Sequence, residues 1–297
     1  MKHKILITGS SGMLGVDLSQ ELCHDHKVFG ADILYRSPGA ISGFYKLDIT
    51  KKQNVLAVIR NLNPDIVIHA AAWTDVDSCE GDPKKAYRIN SDGTKNVALA
   101  CKAIGAVLIY ISTDFVFDGK RKNPYKETDK TNPLGVYADS KLKGETAVKR
   151  IPKKHFILRT GWLYGKHGKN FVDTILKIAK KEKVLKVVND QVGSPTYTKD
   201  LAEAIHILVD KITNSRAGFN PPCRTYHISN SGSVSWYDYA LEILKLAKSQ
   251  AKVEPISSKE LDRPAKRPKM SVLDNSKFIK FAGHKMRNWQ EALKEYV

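Results

Sequence analysis

The sequence has few cysteines and no long apolar run. Its four cysteines are scattered over 297 residues, without a CxxC pair or histidine partners at metal-ligand spacing: Cys23, Cys79, Cys101 and Cys223. We therefore expect reduced thiols, a cytoplasmic location and no bound metal. No apolar run reaches the roughly 18 residues of a membrane span. The first residues resemble a strand rather than the apolar region of a signal peptide, so we expect no leader.

Acidic residues are in the minority. The chain has 31 Asp and Glu residues against 49 Lys and Arg residues, a formal net charge of +18 and a pI near 9.6. Residues 1–150 carry +5 of this charge and residues 151–297 carry +13. Such an excess is typical of proteins that bind nucleic acid, an anionic membrane or an anionic small molecule, although a solvated lysine-rich surface also explains it. Because the sequence has no nucleic-acid recognition motif, we expect neither nucleic acid nor a membrane as partner.

Strand-like apolar runs alternate with helical patterns through the first half of the chain. The strand candidates are Lys4–Thr8, Lys27–Ala31, Asp65–Ala70, Ala106–Ser112 and Phe156–Arg159, and the helix candidates are Met13–Leu22, Val55–Leu62, Ala86–Ile104 and Tyr137–Lys149. Continuously apolar strands separated by helices predict a parallel sheet with helices on both faces. The fold class is therefore α/β, with a Rossmann-like, doubly wound sheet.

A glycine-rich loop lies between the first strand and the first helix. Its members are Gly9, Ser11, Gly12, Met13, Leu14 and Gly15. Glycine tolerates a positive φ and lets the backbone approach a pyrophosphate closely, and the free N–H groups of the following helix face the anion. A tight strand-to-helix turn also needs glycine, but the position at the first βα turn predicts dinucleotide binding.

Further residues at the ends of strands are candidates for contacts to the cofactor. Asp32 ends the second strand, where a carboxylate accepts hydrogen bonds from ribose hydroxyls and favours NAD, although an ordinary turn residue also fits. Arg36 is close enough to meet a 2′-phosphate, so NADH and NADPH both stay open. Asp48 and Ile49 are placed to bracket the adenine, and a run of small residues, Ala70, Ala71 and Ala72, leaves room for the nicotinamide ribose. These last two assignments equally fit a turn and a packed layer.

A Tyr-x-x-x-Lys pair, Tyr137 and Lys141, falls on a predicted helix. Residues i and i+4 share one helix face, so the ammonium can lower the pKa of the phenol and hold the nicotinamide ribose. Such a pair also arises by chance in a lysine-rich chain. However, Thr113 closes the preceding apolar strand at the edge where open α/β sheets bind ligands. We therefore predict Thr113, Tyr137 and Lys141 as the catalytic residues.

The second half of the chain is less regular. Its helical patterns are Phe171–Lys181, Thr198–Lys211 and Trp236–Ala247, and its strand candidate is Thr225–Ser229. We predict an NAD(P)-binding domain over residues 1–160, to which residues 197–230 return. A smaller, partly interleaved substrate-binding part then comprises residues 161–196 and 231–297. Because no Gly/Ser-rich or Pro-rich linker separates the two parts, we expect them to share an interface.

Six ordered segments resemble the dTDP-4-dehydrorhamnose reductase family of the extended short-chain dehydrogenase/reductase superfamily. The segments are AAAWTDVDSCE (70–80), STDFVFDG (112–119), VYADSKLKGE (136–145), RTGWLYGKHGKNFV (159–172), NDQVGSPTYTKDLA (189–202) and SVLDNSKF (271–278). The resemblance covers most of the chain. It implies NADH- or NADPH-dependent reduction of the C4 ketone of dTDP-4-dehydrorhamnose to dTDP-L-rhamnose, a precursor of cell-surface polysaccharide.

The resemblance also implies roles for individual residues. Tyr137 would protonate the developing alkoxide, Thr113 would hydrogen-bond the same oxygen, and Lys141 would support Tyr137. The implied contacts to the sugar nucleotide are Thr74, Asp75, Val76, Asp114, Phe115 and Trp162. Trp162 also fits a core position, and Asn90, expected near the active site beside the cofactor, also fits a helix cap.

Two departures from the family pattern leave the sugar and the nucleotide open. Phe115 stands where the family commonly has tyrosine, so one hydroxyl contact is missing. The segment Arg263–Met270 looks longer and more basic than usual, and we expect some of its charges to steer an anionic substrate.

Other functions stay open as well. A reductase or epimerase of another nucleotide sugar fits the same motifs, whereas a dehydratase does not, because Asp114 is followed by Phe115 rather than by glutamate. The regulatory β subunit of methionine adenosyltransferase resembles the same family, but intact Thr113, Tyr137 and Lys141 argue against a purely regulatory role. The family often forms homodimers, sometimes with an interface metal, and no acidic cluster predicts such a metal here.

Overall fold

A seven-stranded parallel sheet forms the centre of the protein. The computed structural model describes residues 2–36, 41–214 and 224–297. The strands are β1 (Lys4–Thr8), β2 (Lys27–Asp32), β3 (Gly43–Lys46), β4 (Ile66–His69), β5 (Val107–Thr113), β6 (His155–Thr160), β7 (Leu163–Tyr164), β8 (Val184–Val188), β9 (Val192–Gly193), β10 (Thr196–Tyr197), β11 (Arg224–His227), β12 (Val234–Ser235) and β13 (Lys252–Ile256). The central sheet has the order β11-β6-β5-β4-β1-β2-β3, and all its pairs are parallel.

Helices cover both faces of this sheet. They are α1 (Met13–Leu22), α2 (Lys52–Leu62), α3 (Val76–Gly81), α4 (Pro83–Tyr87), α5 (Thr94–Ile104), α6 (Val136–Arg150), α7 (Phe171–Ala179), α8 (Thr198–Thr213), α9 (Trp236–Leu246), α10 (Ser258–Leu261), α11 (Ser276–Ala282) and α12 (Trp289–Tyr296). Alternate residues of β1 point to opposite faces. Ile5 and Ile7 pack with α1, α8 and α11, and Leu6 packs with α2, α5 and α6. The predicted doubly wound, Rossmann-like fold is thereby confirmed.

The helix predicted over Ala86–Ile104 is divided in the structure. Helix α4 ends at Tyr87, a π-helical turn covers Arg88–Gly93, and α5 ends where Gly105 adopts a φ of 73°. Within the turn, Gly93 lies so close to Ile49 that a Cβ would stand 2.7 Å from its Cδ1. A π-helical turn holds one residue more than an α-helical turn, and hydrophobic periodicity does not reveal this.

The second half of the chain both completes the sheet and builds a separate apolar cluster. Strand β11 pairs with β6, and α8 packs beside α1 on one face of the sheet. Strand β8 pairs with β13, and α7, α9 and α12 pack around Tyr239 and Trp289. The sequence does not predict β8 and β13, which are short strands with exposed alternate residues, nor does it predict α11 and α12. The division of the chain into two domains stays a prediction.

The expectations of reduced thiols and of no membrane-spanning segment can be compared with the described residues. Cys23, Cys79 and Cys101 are free thiols, while Cys223 lies outside the described residues. None of the described helices combines the length and the hydropathy that crossing a membrane requires.

Candidate active site

A cleft with a volume of about 830 Å³ opens at the carboxyl ends of the parallel strands. It is lined by residues that directly follow β1 and β4 and by residues that end β2 and β5, as expected of a ligand site in an open α/β sheet. The predicted site residues in its lining are Gly9, Ser11, Gly12, Met13, Leu14, Gly15, Asp32, Arg36, Asp48, Ile49, Ala70, Ala71, Ala72, Thr74, Val76, Thr113, Asp114, Phe115, Tyr137, Lys141 and Trp162. The structure thus brings most of the predicted residues together.

The glycine loop is packed tightly on one side and open on the other. A Cβ on Gly9, whose φ is 74°, would stand 2.6 Å from the backbone nitrogen of Ala71, and a Cβ on Gly15 would stand 2.1 Å from the oxygen of Gly9. A Cβ on Gly12 would meet only the Gly9 oxygen, at 3.2 Å. Gly12 therefore faces open space above the start of α1, where backbone N–H groups can bind a pyrophosphate.

Asp32 organises the rim beside this loop. Its Oδ2 accepts a hydrogen bond from the Ser11 backbone N–H at 3.0 Å, and its Oδ1 accepts one from the Ile33 N–H at 2.7 Å. The Ser11 hydroxyl donates to the Leu34 carbonyl at 2.7 Å. Each carboxylate oxygen has a further lone pair, so Asp32 retains acceptor capacity for ribose hydroxyls. Arg36 lines the same end of the cleft.

The two residues predicted to contact the adenine of the cofactor, Asp48 and Ile49, lie at the same end of the cleft as Asp32 and Arg36. Asp48 Oδ1 accepts hydrogen bonds from the backbone N–H and the hydroxyl of Thr50, at 2.9 and 2.8 Å. The carbonyl of buried Ile49 accepts a hydrogen bond from the Asn96 amide at 3.0 Å. Both residues are therefore fixed by short contacts within the protein, with their cleft-facing sides accessible to a ligand.

One hydroxyl, one phenol and one ammonium group meet at the centre of the cleft. Thr113 ends β5 and hydrogen-bonds to the phenol of Tyr137 on α6. Burial raises the pKa of Tyr137 far above its ordinary value, against the lowering effect of the Thr113 hydrogen bond. One turn further along α6, burial lowers the pKa of Lys141 to about 7, while the charge of Glu145 opposes this shift. Lys141 Nζ donates to the Ile111 carbonyl at 2.6 Å.

A buried ion pair lies one further turn along α6. Glu145 Oε1 accepts hydrogen bonds from the Ser112 hydroxyl at 2.7 Å and from Arg159 Nε at 2.8 Å, and its Oε2 accepts one from Arg159 Nη2 at 2.8 Å. The two charged side chains are essentially fully buried. This pair links α6 to β5 and β6 behind the catalytic candidates. The pair is not predicted from the sequence, although Glu145 ends the VYADSKLKGE segment.

Asp114 is buried directly beside Thr113. Burial raises the pKa of Asp114 to about 6, although hydrogen bonds from Ser271 and Thr113 lower it. The Thr113 hydroxyl donates to Asp114 Oδ1 at 3.1 Å. The next residue, Phe115, contacts the Tyr137 ring edge to face, with centroids 6.2 Å apart. A phenylalanine at this position thus packs against the Tyr137 phenol ring instead of offering a hydroxyl.

Two tryptophans close the other end of the cleft. Trp162 stacks on Trp236, with centroids 3.4 Å apart and planes within 2°. Trp162 has a φ of 50°, and a Cβ on Gly193 would stand 2.3 Å from its ring. Trp236 is not predicted from the sequence as a site residue. The same is true of three basic residues and one aromatic residue in the lining, namely Lys85, Arg88, Lys169 and Trp73. Lys85 lies over the Trp73 ring at 4.2 Å.

Two predicted contact residues do not line the cleft. Asp75 is the N-cap of α3, where its Oδ1 accepts a hydrogen bond from the Ser78 N–H at 3.0 Å. Asn90 is fully buried in the π-helical turn behind the cleft. Its side chain accepts from the backbone N–H of Trp73 at 2.8 Å and donates to the Trp73 carbonyl at 3.0 Å. Asn90 therefore fixes the loop after β4 instead of reaching into the cleft.

The basic segment Arg263–Met270 is partly neutralised by ion pairs with Asp77. Arg263 and Arg267 both donate to Asp77 Oδ2, at 3.0 and 2.8 Å. Burial alone would raise the pKa of Asp77, but these hydrogen bonds hold its pKa at about 2. The two guanidinium groups are therefore engaged in ion pairs, which leaves less free charge for substrate steering than the sequence predicts.

Comparisons with known proteins agree with this geometry. A family model described as the RmlD substrate binding domain matches residues 2–297. The spore coat polysaccharide biosynthesis protein SpsK of Bacillus subtilis is 40% identical, over 99% of this chain and 96% of that protein. A dTDP-4-dehydrorhamnose reductase structure from Clostridium acetobutylicum is 41% identical with a TM-score of 0.88, over 99% of this chain and 98% of the other. A Bacillus anthracis structure of the same name, in complex with NADP, is 38% identical with a TM-score of 0.89, over 100% and 99%.

Proposed function

Because the chain belongs to the RmlD substrate binding domain family, we propose that it reduces the C4 ketone of dTDP-4-dehydrorhamnose to dTDP-L-rhamnose, with NADPH or NADH. The observation that carries this proposal is the position of Thr113, Tyr137 and Lys141, which meet in one cleft beside the glycine loop. The relatives named dTDP-4-dehydrorhamnose reductase support the substrate, with 31–38% identity over nearly the whole chain.

The residues of the cleft fit a nicotinamide dinucleotide. Gly12 and the start of α1 would hold the pyrophosphate, and Asp32 would hold the adenosine ribose. Arg36 would meet the 2′-phosphate of NADPH, and the NADP complex of the Bacillus anthracis relative supports this choice. When bound, the cofactor supplies the hydride for the ketone carbon.

The chain's own residues supply the proton. As charge develops on the ketone oxygen, the Tyr137 phenol donates its proton, and the Thr113 hydroxyl turns from Asp114 to donate a hydrogen bond to the same atom. The Lys141 ammonium, one turn away on α6, favours the phenolate that remains. The Ile111 carbonyl holds this ammonium in place, and the Glu145 carboxylate raises its pKa against the effect of burial.

The far end of the cleft suits a nucleotide diphosphate sugar. Lys85, Arg88 and Lys169 place positive charge in the lining, which would offset the charge of a diphosphate. Trp162, stacked on Trp236, offers a rigid apolar wall for a sugar or a base. The other proposed substrate contacts are Thr74, Val76, Asp114 and Phe115, while Asp75 acts by capping α3. A homodimer and a cytoplasmic location stay predictions.

The proposal is tested by cofactor oxidation with dTDP-4-dehydrorhamnose. We expect oxidation of NADPH or NADH by the purified protein, and a kcat lower by about 10²–10⁴-fold in the Tyr137→Phe variant. Tyr237→Phe, which removes a phenol hydroxyl outside the cleft lining, serves as the matched control and should retain the full rate.

The result also separates the alternatives. If the protein oxidises NADPH or NADH only with a different nucleotide 4-keto sugar, the proposed substrate is wrong but the proposed ketone reduction stands. Cofactor binding without turnover of any such sugar would contradict a reductase. Retention of a methionine adenosyltransferase catalytic subunit by the same protein would then identify a regulatory subunit.

A further inference from the structure

A second group of polar side chains meets at the sheet edge opposite the cleft. His26 directly precedes β2, and His206 and Asp210 occupy positions i and i+4 of α8, on one face of that helix. One ring nitrogen from each histidine and one oxygen of Asp210 all lie within 4.8 Å of one another. None of these residues contributes to the cleft.

His26 is buried without a hydrogen-bond partner. Its side chain is 5% exposed, and neither ring nitrogen makes a hydrogen bond within the described residues. Its Nε2 points toward Asp210 Oδ1, 3.9 Å away. A buried polar group without a partner costs free energy, so an unpaired imidazole aimed at a carboxylate indicates a missing ligand.

His206 is oriented in the way that metal-ligating histidines are. Its Nδ1 lies 2.9 Å from Glu21 Oε1. A carboxylate can only accept a hydrogen bond, so Nδ1 carries a proton, and in the singly protonated ring Nε2 has the free lone pair. This Nε2 faces Asp210 Oδ1 at 3.9 Å and Asp25 Oδ2 at 3.3 Å. A carboxylate that fixes the far nitrogen of a histidine is the usual support of a metal ligand.

A simpler explanation accounts for only half of the cluster. A protonated His206 would form ion pairs with Asp25 and Asp210 and would need no metal. It would leave both nitrogens of His26 without a partner, and a second positive charge would lie close to that ring. A ligand shared by the two rings would give a partner to His26 as well.

We propose that His26, His206 and Asp210 bind a divalent transition-metal ion, with Zn²⁺ as the best match to two imidazoles and one carboxylate. In a tetrahedral site with bonds of about 2.1 Å, ligand atoms lie about 3.4 Å apart. The separations from each histidine to Asp210 are 3.9 Å, and all three ligand atoms lie within 4.8 Å of one another, somewhat wider than in a metal-bound site. Asp25 or a water molecule completes the coordination, and the half-exposed Asp210 side chain provides the route of entry.

Such a site would be structural. It joins the segment after α1 to α8, two elements that pack on the same face of the sheet. Because it lies at the edge away from Tyr137, the bound ion should change stability and leave kcat unchanged. The sequence predicts no metal, because 180 residues separate the two histidines and no spacing motif connects them.

The test is metal binding and thermal stability of the full chain after removal of metals with a chelator. We expect one Zn²⁺ per chain by calorimetric titration. At a free concentration about 100-fold above Kd, Tm should rise on the order of 5 °C. Asp210→Asn and His26→Gln should abolish both effects. His24→Gln changes an exposed histidine two residues from His26 and is the matched control.

Two readouts keep the assignment falsifiable. Co²⁺ bound in a tetrahedral nitrogen and oxygen site gives a visible absorption spectrum, and Asp210→Asn should lose it while keeping a native circular dichroism spectrum. Because the Asp210 side chain is half exposed, Asp210→Asn should fold normally even if His26→Gln, at a buried position, does not. A wild-type Tm that does not respond to Zn²⁺, or an equal loss of response in His24→Gln, would overturn the proposal.

Discussion

The buried ion pair between Glu145 and Arg159 allows a quantitative prediction. Glu145→Gln removes the charge but keeps the size of a side chain that accepts three hydrogen bonds from Ser112 and Arg159. Arg159 is 2% exposed, so its guanidinium would stay buried without a counter-charge. Breaking a buried pair in this way costs about 3–5 kcal/mol, a large part of a typical stability of about 5–15 kcal/mol.

The assay is urea unfolding followed by circular dichroism. Lys149→Met is the matched control, because Lys149 pairs with the same carboxylate from a half-exposed position, at 3.3 Å. Its loss should cost less than about 1 kcal/mol. The double variant Glu145→Leu with Arg159→Met removes both charges and should recover much of the lost stability. If Glu145→Gln and Lys149→Met unfold at the same urea concentration, the buried pair does not stabilise the fold as argued.

The same variant has an effect on the pH profile that a purely structural role would not produce. Glu145 raises the pKa of Lys141, which burial has lowered to about 7. Without the carboxylate, the pKa of Lys141 falls further, and less of the ammonium is present at neutral pH. The pH at which kcat declines on the alkaline side should therefore move to lower pH. An unchanged profile in a folded variant would show that Glu145 does not act through Lys141.

Two further substitutions test other parts of the site. Burial raises the pKa of Asp114 from 3.8 to about 6, so the native state holds this proton to higher pH than the unfolded state does. This contribution to stability is complete below pH 3.8 and is lost as pH rises through about 6. This pH-dependent part of the free energy of unfolding amounts to about 3 kcal/mol. It should be absent when Asp114→Asn is unfolded in urea at several pH values, and equal pH dependence in both proteins would contradict the reasoning. Gly15→Ala places a Cβ 2.1 Å from the Gly9 oxygen and should cost about 1–3 kcal/mol and weaken NADPH binding. Gly81→Ala, with no atom within 4 Å of the new Cβ, should do neither.

The sheet and its helices are predictable from the sequence because their signals are local. Lys4–Thr8 and Met13–Leu22 have the same bounds in the sequence prediction and in the structure. A continuous apolar run identifies a strand buried on both faces, and the glycines fix where the next helix begins. The strands β8 and β13 have no such run, because Lys186 interrupts β8 and Glu254 and Pro255 interrupt β13, and the pairing of the two strands is visible only in the structure.

The candidate site is only partly predictable. Residues at strand ends, such as Thr113 and Asp32, are predictable because parallel strands bring their carboxyl ends to one edge. Asn90 shows the limit, since its position depends on a π-helical turn that periodicity does not reveal. Trp236 shows a similar limit, because it lines the cleft from α9, where it stacks on Trp162, and no local sequence pattern indicates this tertiary contact.

Strand β11 has a consequence for the order in which the protein assembles during its synthesis. It covers the edge of β6, yet its residues, Arg224–His227, leave the ribosome 64 positions after β6 ends. Until then β6 exposes an unpaired edge, and without α8 the apolar residues beside α1 are uncovered. The first 160 residues therefore contain a sheet whose β6 edge is unpaired and whose α1 face lacks α8. A distant part of the chain completes this edge and this face, and an unpaired strand edge that stays exposed in the interval favours aggregation.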